Sequence, residues 1–409
     1  MKEKMLNRFL KYISFDTTSN SNNEFNPSSN GQIEFAKYLV KELQDLKLDV
    51  YFDDKNSYIY ALLKGNPNLP KLGFISHLDT SEDVKGKNIK PKINLNYDGK
   101  DLVLSENIIL SPDTFSDLKQ RVGKTLITSD GTTLLGADDK AGITEIMYML
   151  EYFLINKEEH GDIYVCFTPD EEIGLGTLNF STTYFKPQVA YTVDGIEVGE
   201  FSYENFNAAS VDIEIQGFST HCGSAKGLMI NACRIATIIN SLLPEEIPEN
   251  TEMYEGFFHL EELSGNVNFA KMKYLIRDFD LENFEKRKQI LRNIVNILNK
   301  KYNNCITLNI KDTYRNMKDV VSKNEKIIKN TLEAIKNVGV NPVILPIRGG
   351  TDGTHISFLG IPCPNLGTGG HNFHSIYEYI CLEDMITVGE ILISIVKEYE
   401  KDSVLKRER

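Results

Sequence analysis

The chain has 409 residues, 41 % of them hydrophobic and 25 % charged, a composition that supports two or three domains with real cores. Acidic residues outnumber basic ones by 58 to 45, for a formal net charge of -13, and the only basic block is the short "KRER" at the end of the sequence. Nucleic acid and membrane surfaces are therefore excluded as expected partners, whereas a metal ion or a free amino group suits an acidic field.

The opening "MKEKMLNRFLKYISF" places Met5, Leu6, Phe9, Leu10 and Ile13 at helical spacing with lysines between. That predicts an amphipathic helix rather than a signal peptide, and no apolar run is long enough to span a bilayer. A polar stretch, "TTSNSNNEFNPSSNGQ" from Thr17 to Gln32, leads to a second helix, "IEFAKYLVKELQDL". Strands "SYIYALL" and "KLGFIS" follow, then helix "ITEIMYMLEYFL", strand "DIYVCFT" and strand "VAYTVD". Short apolar runs alternating with amphipathic helices predict an α/β fold with a mainly parallel sheet flanked by helices.

The pattern changes after about Glu204. "ASVDIEIQG" alternates as a half-exposed strand does, followed by helix "NACRIATIINSLL", strands "GFFHLEEL" and "VNFAKMKYLIRDF", helix "ENFEKRKQILRNIVNIL" and strand "CITLNIKDTY". This β-α-β-β-α-β order predicts a ferredoxin-like α+β domain inserted into the first. From about Val321 the α/β pattern resumes with helix "NEKIIKNTLEAIKNV", strands "PVILPI" and "PCPNL", and a long helix from about Leu382. The boundaries are 1–205 and 319–409 for the α/β domain and 206–318 for the insert. The cysteines Cys166, Cys222, Cys233, Cys305, Cys363 and Cys381 are scattered without a C-x-x-C pair, as reduced thiols of a cytoplasmic protein would be.

The polar groups fall at the strand ends. "GFISHLDT" finishes a strand with His77 and Asp79, two apart and so on one side of it if the strand runs on to Asp79. "LLGADDKAG" sets Asp138 and Asp139 before a helix, where an aspartate is most often a cap. "VCFTPDEEIG" follows its strand with Asp170, Glu171 and Glu172 side by side, and "AYTVDG" ends at Asp194. "GTGGHNFHSIYE" carries His371 and His374 in a glycine-rich loop. Open α/β sheets bind ligands at the carboxyl ends of their strands. Three adjacent carboxylates imply a cation, and nitrogen and oxygen donors without cysteine point to zinc, manganese or cobalt at a catalytic site. Two neighbouring glutamates can divide the work, one binding metal and the other moving protons.

These motifs, with "TLLGADDKAGI", "ENFNAASV", "LIRDFD", "PIRGGTDG" and "PCPNL", resemble the tripeptide aminopeptidases of the di-zinc aminopeptidase and carboxypeptidase G2-like metallopeptidase family over nearly the whole chain. The resemblance implies two zinc ions per subunit, replaceable by manganese or cobalt in vitro, held by His77, Asp138, Glu172, Asp194 and His374, with Asp138 bridging. It implies a bridging hydroxide, Glu171 as its general base, Asp79 as the carboxylate that orients His77, and His221 of the insert as the lid histidine that reaches the substrate's carbonyl oxygen. Short peptides, tripeptides above all, are the implied substrates, and the family leaves room for a homodimer. Arg277 and Arg348, with Lys226, are candidates for the peptide's carboxylate. The alternatives are a di-metal deacylase of the same family acting on N-acyl amino acids and a non-catalytic peptide-binding relative. Two departures stand out: Cys222 replaces the proline usual after the lid histidine, and "HSIYE" replaces "HGKHE", which leaves His371 as a competitor of His374.

Overall fold

The computed structural model describes residues 2–407, which divide into two compact units. The first comprises Met1–Tyr203, Asp319–Leu345 and Thr351–Arg409, and the second Glu204–Lys318 with Pro346–Gly350. Among the described residues no helix is long and apolar enough to cross a membrane.

The first unit is organised by an eight-stranded sheet. Its strands run in the order Asp49–Asp53, Tyr58–Leu63, Ile163–Thr168, Leu72–His77, Val189–Gly195, Asn365–Gly367, Glu200–Ser202 and Val343–Ile344. The four strands from Ile163–Thr168 to Asn365–Gly367 are parallel to one another, and antiparallel pairs flank them. Leu72–His77 and Ile163–Thr168 are buried along their whole length, as parallel strands covered on both faces must be. Each large apolar side chain among them, Phe74 and Ile75 included, contributes about 1.5–3 kcal/mol on burial. The helix Ala137–Asn156 crosses this centre and is buried for most of its length. It is apolar nearly all round, the mark of a helix enclosed in a core.

Register then decides where the polar residues land. His77 pairs with Thr168, two residues before Asp170, and Ile75 pairs with Thr192, so that Asp194 lies level with His77. A smaller sheet in the order Gly370–His371, Tyr379–Cys381, Leu126–Thr128, Lys92–Asn94 brings the loop after Thr128 and the loop before Tyr379 to one end of the same antiparallel strand pair.

The second unit has the predicted β-α-β-β-α-β order. Its sheet runs Phe257–Gly265, Phe269–Asp278, Asn207–Gln216, Ile306–Tyr314, all antiparallel. The helices Ala232–Leu242 and Leu281–Lys301 contribute Ile235, Ile239, Leu291 and Val295 to a core shared with Val211, Ile213, Met272 and Tyr274 of the strands. Pro346–Gly350, which the sequence reading left with the α/β domain, packs with this unit. There Arg348 donates to the carbonyls of Met253 and Glu255 at 2.9 and 3.0 Å. The predicted strand "PVILPI" is correspondingly cut to Val343–Ile344.

Gly142 shows how closely the central helix sits. A Cβ there would come within 2.1 Å of the Val193 carbonyl oxygen and 2.6 Å of Ser76 Oγ. Replacing glycine by alanine inside a helix ordinarily stabilises by about 1 kcal/mol, yet overpacking a tight interface costs about 1–3 kcal/mol. Gly142→Ala is expected to lower the apparent melting temperature in a thermal scan. A rise would mean that the helix can move off the sheet freely.

Candidate metal centre

Two sets of ligand-type side chains meet at the strand ends, and they share one carboxylate. His77 Nε2 lies 2.9 Å from Asp138 Oδ1 and 3.4 Å from Asp194 Oδ1. His374 Nε2 lies 3.3 Å from Asp138 Oδ2 and 2.9 Å from Glu172 Oε2. In each group, His77–Asp138–Asp194 and Asp138–Glu172–His374, one atom per residue lies within 4.8 Å of the others. Asp138 thus offers one oxygen to each side. All five residues belong to the first unit.

The local backbone explains how so many polar groups converge. Asp138 and Asp139 open the helix with non-helical dihedrals, joined by a cis peptide bond. Asp139 is the cap that its position suggested, since Oδ1 accepts the Gly142 N–H at 3.3 Å while Oδ2 accepts the His77 N–H at 3.1 Å. Asp170 adopts a left-handed backbone with φ of 55°, which turns it away from its neighbours. Its carboxylate accepts from Asn26 Nδ2 at 2.8 Å, the Ser28 N–H at 2.7 Å and Gln32 Nε2 at 2.6 Å. The polar stretch from Thr17 to Gln32 therefore cages the first of the three adjacent carboxylates. Glu171 and Glu172 turn instead onto Asp79, whose Oδ1 and Oδ2 accept their backbone N–H groups at 3.0 and 3.1 Å. Asp79 Oδ1 also lies 3.2 Å from His77 Nδ1, so one buried carboxylate holds the imidazole and the glutamate turn together. Such partners fix the tautomer and orientation of a ligating histidine. Asp83 does the corresponding work for His374, with Oδ2 3.0 Å from Nδ1.

The electrostatics show what this crowding demands. Burial pushes Glu172 up to about 8, with Asp138 adding to the rise, and burial followed by His77 and Asp138 sets Asp194 at about 6. Glu171 is raised well above the usual carboxylate range by burial and by Asp194. Burial opposes protonation of His77, yet Asp194 and Asp138 hold its pKa well above normal. Bonds to Asp138 and Glu172 lift His374 to about 11. Carboxylates crowded in this way need positive charge beside them. Glu172 Oε1, moreover, is buried without a hydrogen-bond partner, a spare acceptor in a place where one is costly. The shared carboxylate, the nitrogen and oxygen donors and this orphaned atom fit a pair of divalent ions.

Of the other predicted residues, His371 belongs to the first unit and to neither ligand group. His371 is buried, its Nε2 is 2.8 Å from an Arg121 guanidinium nitrogen, and its ring stacks on Tyr379. Burial and Arg121 press its pKa down to about 4. His221 belongs to the second unit and is exposed, with Nδ1 accepting the Gly223 N–H at 3.2 Å. Arg277 and Arg348 are in the same unit. Arg277 donates to the Ile276 carbonyl at 3.2 Å and faces the Tyr314 ring, while Arg348 is held by carbonyls of Met253, Glu255 and Thr251. Sequence reasoning missed Asp83 and Glu378. Glu378 accepts three backbone N–H groups around Asp138, which oppose the rise that burial causes in its pKa. The only sequence signal for Glu378 was its place in "HSIYE".

Comparison with known proteins agrees with this architecture. The family model described as peptidase family M20/M25/M40 matches residues 131–398. Peptidase T of Caldanaerobacter subterraneus subsp. tengcongensis is 49 % identical over 405 residues, covering 97 % of this chain and 99 % of its own. Peptidase T of Bacillus licheniformis is 46 % identical over 408 residues, 98 % and 100 % of the two chains. In fold, the chain is similar to the aminopeptidase PepT from Bacillus cereus, with a TM-score of 0.80, 22 % identity and coverage of 98 % and 99 %. It is also similar to the Bacillus subtilis YXEP protein, a dinuclear metal binding peptidase of the M20 family, with a TM-score of 0.66, 14 % identity and 97 % coverage of both chains. A family match across most of the chain and relatives near half identical over almost all of it establish that this chain belongs to peptidase family M20/M25/M40, on its peptidase T branch of metallo-aminopeptidases.

Proposed function

We propose that the protein is a cytoplasmic tripeptidase that releases the N-terminal residue, with two zinc ions held by His77, Asp138 and Asp194 and by Asp138, Glu172 and His374. The observation that carries this reading is the shared Asp138 between two ligand groups, with Glu171 half-buried and a member of neither. Bound divalent ions would supply Lewis acidity, lowering the pKa of a water toward neutrality and polarising the peptide carbonyl.

The protein's own side chains do the rest. Glu171, with its proton affinity raised by burial and by Asp194, takes the water's proton and returns it to the leaving amine. Asp79 positions this base through the Glu171 backbone and orients His77 through Nδ1. The acidic surroundings receive the substrate's α-ammonium group. We assign to the second unit, Glu204–Lys318 with Pro346–Gly350, the role of substrate-binding lid on the first unit as catalytic domain. His221 is its donor to the developing oxyanion, and Arg277 or Arg348 its cation for the peptide carboxylate.

A tripeptide panel with zinc, manganese or cobalt added back, read as free N-terminal amino acid, tests the activity. Release from tripeptides is expected. Cleavage of N-acyl amino acids alone would make the protein a deacylase, and no turnover with any metal would make it a binding relative.

Two variants test the roles. Glu171→Gln should keep both ions and lose turnover by a factor of about 100 to 10,000, the usual contribution of a general base. Loss of an ion in that variant would show that Glu171 is itself a ligand. His374→Ala should lose one ion of two by metal analysis, whereas His371→Ala, whose histidine faces Arg121 and belongs to neither ligand group, should keep both. Equal losses in the two histidine variants would reassign the second site.

A further inference from the structure

Glu378 is 1 % exposed, and it lies directly before the strand Tyr379–Cys381, which pairs with Leu126–Thr128. Its Oε2 accepts the N–H groups of Leu135 and Gly136 at 2.6 and 2.8 Å, and its Oε1 accepts that of Asp138 at 3.1 Å. These donors sit at the irregular start of the helix Ala137–Asn156, where backbone N–H groups have no intrahelical acceptor. Four residues earlier on the Glu378 loop, His374 reaches the Asp138 side chain. Asp138 is thus gripped twice by one loop, through its side chain by His374 and through its backbone by Glu378.

We propose that Glu378 is a positioning residue of the metal centre, a staple that holds the Asp138 backbone in register with the loop carrying His374. The proposal rests on the reading of Asp138 and His374 as metal ligands. Only a carboxylate serves all three donors. An amide keeps one acceptor oxygen and turns an NH₂ group against the remaining N–H, leaving a buried donor unpaired. The strand pair beneath delivers both loops to the same end of the small sheet, but it does not fix the turn at Asp138, where the dihedrals leave the helical region. Glu378 supplies that constraint across 240 residues of sequence.

The test is calorimetric titration of the metal-stripped protein with zinc and with manganese, wild type against Glu378→Gln and Glu378→Asp. Groups that orient metal ligands typically account for about 10- to 100-fold in affinity. Glu378→Gln is expected to weaken one ion by that factor, the other less, while the metal-free protein melts close to wild type. Glu378→Asp, which keeps the charge on a shorter stem, should recover part of the affinity. A folded Glu378→Gln protein that binds both ions as wild type does overturns the staple, as does a Gln variant whose metal-free melting falls while its affinities hold. If Glu378→Gln does not fold, the Asp variant decides: a smaller loss in the same direction supports the proposal, and wild-type affinity overturns it. Wild-type protein that takes up no ion would instead remove the metal reading and the staple with it.

Discussion

Several carboxylates and two imidazoles are held within a few ångströms at the ends of buried parallel strands, and the structure around them is arranged to make that tolerable. Like charges in a poorly solvated place repel strongly, and removing one partner of such a group leaves its neighbour uncompensated. The register of Leu72–His77 with Ile163–Thr168 and Val189–Gly195 makes the crowding unavoidable, because it sets His77, the Asp170–Glu172 turn and Asp194 at one level. The centre exists because three short strands end together.

Most of the cluster's side chains are then steadied by a group outside it. Asp79 supports His77 and the backbone of both glutamates, Asp83 supports His374, and Asp139 ties the start of the helix to the His77 backbone. Asp170 is satisfied by Asn26, Ser28 and Gln32 from a loop that reads as featureless in composition. This is how buried polar networks avoid their usual penalty: these acceptors find donors, and Glu172 Oε1, which has none, lies where a cation would be bound.

The second unit follows a different physical logic. Its antiparallel sheet and two helices enclose their own apolar core, so it can fold around that core without help from the metal chemistry. Pro346–Gly350 nonetheless belongs to it, anchored by Arg348 on three carbonyls and packed over Phe206 and Phe257. A guanidinium offers five donors in a fixed fork, which suits such a docking role as well as it suits a ligand carboxylate.

The alternation of short apolar runs with amphipathic helices was enough to give the α/β unit and the inserted ferredoxin-like sheet, since both periods are written locally in the side chains. The placement of His77, Asp138, Glu172 and Asp194 at strand-to-loop junctions was equally legible, because a strand's end is a local event. What the sequence could not give is how the three carboxylates of "DEE" divide. Asp170 leaves the cluster because a left-handed backbone points it to residues more than 130 positions away. His374 joins and His371 does not, because Arg121, 250 residues earlier, faces His371 on the small sheet. Glu378 and Asp83 were silent for the same reason. Their partners are backbone and ring nitrogens brought near only by tertiary folding, and no local propensity encodes a hydrogen bond that spans 240 to 291 residues.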